Sequence, residues 1–407
     1  MTRVAYLVSH PIQYQAPLLR RLAQEETLDL TVLFLSDFST RKYADAGFGK
    51  VISWDVDLLS GYNWKVLSAW GSDDRLGFWT PVTAGIEREL CQGRYDILWL
   101  HGYGHQAHLR AWFAAKRAGL KVLFRGESHG LTNNGSSFRQ TAKRRLRSTL
   151  FRNIDGFLAI GSANREYYLS HGVPPDRIFM MPYAVDNAAF RRERRSPESD
   201  DLLRQHKLTT GRPIILFAAK LQPLKRPWDI WNAYIRLSPN GVDEPAPYLI
   251  FVGEGSERAR LEAAVADRGW GRSVRFVGFQ NQTILPAYYA IADVFVLASD
   301  REQWGLALNE AMNAGVAVIV SDQVGARFDL VEDGVNGYVF PVGDVEALAD
   351  RLRRITGDPL LARSMGSKSL HKISSWNFEA DIRGFHEAIS FCVSNRHSAP
   401  TRDTPRQ

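Results

Sequence analysis

The stretch Ala298-Ser-Asp-Arg-Glu302-Gln-Trp-Gly305-Leu-Ala-Leu-Asn-Glu310-Ala-Met-Asn-Ala-Gly315 decides how this chain is read. The apolar run Val294–Leu297 precedes it and Val316–Val320 follows it, so the segment reads as strand, loop, helix, strand. Leu306, Leu308, Ala311 and Met312 give the helix an apolar face. Gly305 allows close backbone approach just before the helix begins, with the amides of Leu306 and Ala307 following it. Free amides at a helix N-terminus, together with the positive end of the helix dipole, form a ready site for a diphosphate. Glu302 lies in the loop and Glu310 lies more than one turn into the helix. Carboxylates so placed can accept hydrogen bonds from two sets of hydroxyls, one on each side of the phosphates. A sugar–diphosphate–ribose makes that demand.

Working outward, Phe217-Ala-Ala-Lys220-Leu-Gln-Pro-Leu-Lys225-Arg226 ends another apolar run. Cations beyond a strand's carboxyl end can neutralise a leaving diphosphate. On the C-terminal side of the chain, Pro213–Ala218, Tyr248–Val252, Val274–Val277, Val294–Leu297 and Val316–Val320 read as strands, with helix-length segments such as Ser256–Asp267 between them. The N-terminal half repeats the alternation: strands at Val4–Val8, Leu30–Leu35, Ile97–Leu100, Val122–Arg125, Phe157–Ile160 and Ile178–Met181, and a helix at Ala16–Gln24. Short continuous apolar runs suit parallel strands covered on both faces. Two such alternating blocks predict an α/β protein of two Rossmann-like, doubly wound lobes facing a cleft, with ligands beyond the carboxyl ends of the strands. The lobes are expected at 1–190 and 211–375, joined by a polar linker at 191–210. A C-terminal helix at 376–394 is expected to return to the N-lobe, ahead of a disordered tail at 395–407.

The 298–315 segment resembles the E-x7-E signature of the retaining GT-B glycosyltransferases, specifically glycosyltransferase family 4. Other pieces match in register: Ser162–Tyr167, His171-Gly-Val-Pro, Pro182-Tyr-Ala-Val-Asp186, Phe251-Val-Gly-Glu-Gly255, Val274-Arg-Phe-Val-Gly278, Ser321-Asp-Gln-Val-Gly325 and Asp333-Gly-Val-Asn-Gly337. The likeness is dense from about residue 160 to 365 and mostly topological before that. It implies that Lys220 and Lys225 hold the donor diphosphate, Glu310 the ribose and Glu302 the donor sugar. By the same likeness the backbone of Gly305, Leu306 and Ala307 meets phosphate or sugar, and Gly278 and Phe279 lie near the base. It implies a retaining, metal-independent transfer from a nucleoside-diphosphate sugar, a co-substrate rather than a cofactor, to a hydroxyl acceptor. That acceptor would belong to a carbohydrate, a lipid-linked sugar or a small molecule. A histidine after a central N-lobe strand often faces the donor sugar in this family, and His129 is the nearest candidate, with Glu127 and Arg125 as rivals. In place of the family's glycine-rich first loop stands Ser9-His10-Pro11-Ile12-Gln13-Tyr14, so His10, Gln13, Tyr14 and Glu127 are taken as the acceptor side. The alternatives are a GT-B nucleotide-sugar epimerase or hydrolase, or a non-catalytic scaffold.

The chain has 407 residues, 45% hydrophobic and 23% charged, with a formal net charge of +7. This is the composition of a globular protein, and no apolar stretch approaches the ~20 residues of a membrane span. The N-terminus runs straight into a strand without a signal-peptide pattern, so a cytoplasmic location is expected. Basic clusters at Arg139, Lys143, Arg144, Arg145, Arg147 and Arg152, and at Arg191, Arg192, Arg194 and Arg195, read as solvated faces or as a peripheral contact with anionic membrane at its inner face. Nucleic acid is not an implied partner. Cys91 and Cys392 are expected to be reduced and structural.

Four other patterns carry less. Gly126-Glu-Ser128-His-Gly130 fits a nucleophile elbow, but a loop-like sequence follows where a helix is required. His101, His105 and His108 straddle glycines with no carboxylate or cysteine beside them, so no metal site is expected. Asp55-Val-Asp57 mimics a metal-binding D-x-D outside a nucleotide-lobe context, and Gly253-Glu-Gly255 lacks the third glycine of a dinucleotide fingerprint.

Overall fold

The computed structural model describes residues 1–71, 76–130, 145, 147–194, 196–237 and 246–394. In the N-lobe the strands are Thr2–Val8 (β1), Leu28–Phe34 (β2), Tyr43–Asp45 (β3), Lys50–Ile52 (β4), Asn63–Val66 (β5), Ala69–Trp70 (β6), Val82–Thr83 (β7), Ile97–His101 (β8), Lys121–Arg125 (β9), Gly156–Ala159 (β10) and Ile178–Met180 (β11). The C-lobe supplies Ile214–Ala218 (β12), Tyr248–Val252 (β13), Val274–Gly278 (β14), Val294–Leu297 (β15), Ala317–Ser321 (β16) and Gly337–Phe340 (β17).

Seven N-lobe strands form a parallel sheet in the order β11-β10-β9-β8-β1-β2-β5, and the six C-lobe strands form a parallel sheet in the order β14-β13-β12-β15-β16-β17. The expected two-lobed, doubly wound α/β architecture is therefore present. Alternate residues of each strand enter separate cores: Ile214 and Leu216 of β12 pack on one face, Ile215 and Phe217 on the other. Val4 and Tyr6 of β1 likewise oppose Ala5 and Leu7. Burial on both faces is why the runs are continuously apolar. In each sheet the chain reverses its winding at one point, between β1 and β8 and between β12 and β15. Side chains on the loops leaving those strands converge on the crevice.

The structure adds elements that the sequence pattern did not show. Edge strand β5 is exposed along its whole length, so no apolar run marks it. Strand β17 begins at Gly337, the last residue of a segment noted only for its family likeness. Two small antiparallel hairpins, β3–β4 and β6–β7, project from the N-lobe. The polar stretch 191–210 is not a plain linker. It holds the helix Pro197–Gln205, capped by Ser196, whose Leu202 enters the C-lobe core with Leu208. Cys91 is exposed, so of the two free cysteines only the buried Cys392 has a packing role. Residues 395–407, expected as a disordered tail, lie outside the described residues, as do Arg139, Lys143, Arg144 and Arg195. Arg147 donates to the Tyr167 hydroxyl and Arg194 pairs with Asp293 at 2.8 Å, so both are committed within the protein. Among the described residues no helix is long and apolar enough to cross a membrane.

The last helix, Phe378–Ser394, lays Ile382, Phe385, Ala388, Ile389 and Cys392 into the N-lobe core. Its Asp381 meets Arg125, at the end of β9, at 3.0 Å, and both side chains are almost wholly buried. Arg125 also donates to the Met181 carbonyl at 2.9 Å. Removing one partner of such a pair leaves an uncompensated buried charge. Asp381→Ala is expected to destabilise the chain by about 3 kcal/mol, read as a lower urea midpoint. A midpoint unchanged from wild type would show that the pair is not holding the helix to the N-lobe.

Candidate active site

Strand β12 ends at Ala218, and the chain turns through Lys220 and the 3-10 turn Pro223–Lys225. Beside it β15 ends at Leu297, and the loop 298–305 leads into the helix Leu306–Asn313. Adjacent strands deliver these two loops side by side, and the Asp300 amide donates to the Leu224 carbonyl at 2.9 Å, tying one to the other. The Glu302 loop is also pinned from the β16 side, where the Glu302 amide donates to Gln323 and the Gly325 amide donates to Glu302. Gly305 adopts φ 103°, a left-handed value that suits glycine, and a Cβ there would come within 2.9 Å of Leu297. Glycine at 305 is thus required by the backbone conformation and by the packing of Leu297.

These loops line a cavity of about 300 Å3. Lys220, Lys225, Glu302, Gly305, Leu306, Ala307, Glu310 and Phe279 all contribute to its wall, with Gln13 reaching in from the N-lobe. Lys225 forms an ion pair with Glu302, whose carboxylate also accepts from Ser299 at 3.0 Å. Lys220 pairs at 2.8 Å with Asp45, a residue of the β3–β4 hairpin. Glu310 sits deep in the wall but keeps a partly accessible face, and Tyr289 donates to it at 2.7 Å. Burial pushes the Glu310 carboxyl up to about 7, against the opposing pull of the Tyr289 hydrogen bond. Gly278 ends β14 beside Phe279, and its carbonyl accepts from the Gly253 amide at 2.8 Å. Gly253 has φ 134°, and a Cβ there would sit 2.0 Å from the Ala219 carbonyl oxygen. The glycines of 253–255 therefore let β13 pack against the loop that carries Lys220.

The other expected residues fall in two places. His129 is buried, and its Nε2 lies 2.9 Å from the Glu302 carbonyl oxygen; it holds the backbone of the Glu302 loop rather than lining the cavity. Burial pushes its imidazole pKa down. The remainder gather at the ends of β1, β8 and β9. Tyr183 donates to Glu127, His101 lies 3.7 Å from the same carboxylate, and Gln15 joins His101 at 3.3 Å. The ring of Tyr14 packs edge-on to Tyr183. Burial raises the Glu127 carboxyl, but the nearby His101 imidazole, the Tyr183 hydrogen bond and the charge of Arg125 outweigh it and leave it low. Glu127 is thus held as a carboxylate. His10 packs on Phe38 and bonds Ser9 at 2.9 Å, and burial lowers its imidazole to about 4.

The minor patterns resolve physically. His105 caps the helix Gln106–Arg117, accepting from the Ala107 amide at 3.0 Å. Among the described residues no group of three or more metal-ligating side chains is brought together. The Ser128 carbonyl accepts from Asn164, and the segment that would have to be the elbow's helix lies outside the described residues. Asp57 caps the turn at Leu59 and Ser60, whereas Asp55 accepts from the amides of Gln282 and Thr283 across the cleft. Phe48, Trp54 and Tyr289 in the cavity wall, and Asp45 beside Lys220, are among the residues that sequence reasoning did not find. Only Tyr289 carried a local signal, since it lies in an apolar helix of the nucleotide lobe.

Comparison with known proteins follows the two lobes. The family model described as Glycosyl transferase 4-like domain matches residues 16–184, and that of Glycosyl transferases group 1 matches residues 198–372. The D-inositol 3-phosphate glycosyltransferase of Jonesia denitrificans is 29% identical over 241 residues, which are 56% of this chain and 55% of that protein. Its namesake in Nocardia farcinica is 28% identical over 246 residues, 58% of this chain and 53% of that protein. The chain spans about half the length of these curated relatives. Among solved structures, Anabaena HepE in complex with UDP superposes with TM-score 0.73 at 18% identity, over 96% of this chain and all of its own. Its complex with UDP-glucose gives 0.69 at 19% identity, over 98% of this chain and all of its own. With a glycosyltransferase model matched on each lobe and the same two-sheet architecture in these structures, this chain belongs to the family-4-like glycosyltransferases of the GT-B fold.

Proposed function

We propose that the chain transfers a sugar from a nucleoside-diphosphate donor to a hydroxyl acceptor with retention of anomeric configuration. The observation that carries this reading is the convergence of Lys220, Lys225, Glu302, Glu310 and the start of the helix Leu306–Asn313 on one cavity. Lysine ammonium groups and helix-end amides are the fixed positive charges that a departing diphosphate needs. They act most strongly on charge that develops as the glycosidic bond breaks. Glu302 and Glu310 flank that position as acceptors for sugar and ribose hydroxyls. With lysines and helix-end amides gathered to hold the leaving phosphate, the reading is a displacement in which that phosphate itself takes the acceptor proton on the same face. The relationship to HepE, solved with UDP and UDP-glucose, makes uridine diphosphate sugars the first donors to try. The polar group of Glu127, His101 and Tyr183 on the N-lobe side supports placing the acceptor there.

Three outcomes test this reading. Proton NMR of the first-formed product is expected to show the donor's anomeric configuration, and inversion would overturn the mechanism. Lys225→Ala is expected to lower kcat/KM about a hundredfold, the order seen on removing a charge-stabilising donor. Donor affinity is expected to strengthen as pH rises through about 7, where Glu310 ionises and becomes a charge-assisted acceptor. A carboxyl with that pKa is about nine-tenths protonated one pH unit lower, so binding should be about tenfold weaker at pH 6 than at pH 8. Calorimetry on Glu310→Gln should show this slope removed; an equal slope in the variant would assign it to another group.

A further inference from the structure

We propose that the N-lobe hairpin and its continuation, residues 43–55, form the outer wall of the donor site. In this assignment Phe48 and Trp54 close, with Phe279, an aromatic corner that receives the nucleobase, and Asp45 occupies Lys220 until the donor diphosphate displaces it. The inference rests on the donor-site reading above and adds to it the part played by the opposite lobe.

The segment belongs to the N-lobe by sequence but is bonded to the C-lobe along its length. Asp45 reaches Lys220 at 2.8 Å, Gln222 donates to the Gly47 carbonyl at 2.9 Å, and Lys50 pairs with Glu254. Further along, Asn281 donates to the Ser53 carbonyl at 2.6 Å, and Asp55 accepts from the Gln282 and Thr283 amides at 3.1 and 3.2 Å. Strands β3 and β4 pair only with each other, so neither large sheet fixes the position of the hairpin. The C-lobe contacts do, together with the packing of the Tyr43 ring on Phe38 of the N-lobe.

Those contacts bring two aromatic rings to the cavity wall. The Phe48 ring lies 4.9 Å from that of Phe279 at 69°, and the Trp54 ring lies 5.9 Å from it at 66°. Phe48 and Trp54 line the same cavity as the lysines and Glu310. Bases stack on aromatic side chains because every base has a π face, and a corner of rings offers such a face next to apolar edges. The Lys220 ammonium lies 4.5 Å from the centroid of the Phe48 ring, so the apolar corner adjoins the diphosphate lysine directly. A nucleoside diphosphate has that sequence of chemistry: a flat apolar base, then ribose, then concentrated negative charge.

Asp45 is bound as a counter-ion. Burial raises its carboxyl, while the Lys220 hydrogen bond and the amides of Phe48 and Gly47 lower it further and leave it ionised. A diphosphate carries more negative charge than one carboxylate and takes Lys220 from it without leaving the cation bare. Donor arrival is thereby coupled to the hairpin, because the loop that releases Lys220 also carries Phe48.

Calorimetric titration tests this with two probes. One is whichever of UDP, GDP, ADP and TDP binds the wild-type chain tightest, and the other is inorganic pyrophosphate. Phe48→Ala and Trp54→Ala are expected to weaken the nucleotide at least tenfold and change pyrophosphate by less than twofold, with thermal midpoints equal to wild type. Phe48→Tyr and Trp54→Phe, which keep a ring, should retain most of the affinity and serve if an alanine variant fails to fold. Asp45→Asn is expected to tighten both probes severalfold. Nucleotide affinity within twofold of wild type in the ring variants, or equal losses on both probes, overturns the base assignment. Unchanged or weaker pyrophosphate binding by Asp45→Asn overturns the exchange. If no nucleoside diphosphate binds even the wild-type chain, the donor-site reading itself fails.

Discussion

A single backbone hydrogen bond, from the Asp300 amide to the Leu224 carbonyl, expresses the constraint on which the site depends. It joins the loops after β12 and β15, the two strands between which the C-lobe sheet reverses its winding. Only at such a reversal do neighbouring strands send their connections to opposite faces of the sheet and leave a crevice between them. The lysine-bearing loop falls on one side of that crevice and the Glu302 loop on the other. The short reach of a lysine to a carboxylate follows from this, as does the placement of the Leu306–Asn313 helix end between them. A rearrangement that opened the β12–β15 pairing would separate the cations from the helix amides. The chemistry is a property of the sheet order before it is a property of any side chain.

The lobes are then held in register by groups that do not take part in the chemistry. Asn309, on the helix behind the cavity, donates to the Tyr183 carbonyl at 2.9 Å and accepts from Trp304 at 2.9 Å. Trp304 stacks on Trp376 of the segment leading into the last helix. That helix returns to the N-lobe, where Asp381 meets Arg125 at the end of β9. A continuous path of packed and hydrogen-bonded groups therefore runs from the wall of the lysine-lined cavity through the last helix to the N-lobe strand ends. His129 makes the shorter connection, directly to the Glu302 backbone. The residue that the sequence offers as a candidate to face the donor sugar also braces the Glu302 loop.

The fold was legible because both sheets are buried on two faces. Every central strand had to be apolar throughout, and such runs alternating with helices admit few arrangements. What escaped detection lacks that burial. The four residues of β5 are exposed, and the Pro197–Gln205 helix commits few apolar residues, chiefly Leu202, to the core. The site divides in the same way. Glu302, Glu310, Lys220 and Lys225 sit at the ends of buried strands or on the helix that follows, where periodic sequence fixes their place. Asp45 lies 175 positions from the lysine it pairs with, on a three-residue strand with no pattern of its own. Its partnership is set by how two lobes meet, and nothing local in either segment encodes that.

The charge arrangement of the cleft follows from what it costs to hold cations in a half-enclosed cavity. Two unpaired lysines facing each other across about 300 Å3 would repel and would lose solvation without recompense. Each is instead matched to a carboxylate, Lys220 to Asp45 and Lys225 to Glu302, while Lys50 and Arg258 share Glu254 at the rim. A site built this way exchanges one set of charge-assisted bonds for another when a diphosphate enters, rather than desolvating bare charge. The two exchanges have different consequences. Asp45 lies on a hairpin of the opposite lobe, so its proposed release would be tied to the position of that hairpin. Glu302 is on a loop pinned by Gln323, Gly325 and His129, so if Lys225 turned to a phosphate, as proposed, the freed carboxylate would keep its place. In the proposed donor complex, the ligand that neutralises the lysines would thereby uncover the carboxylate proposed to read the sugar.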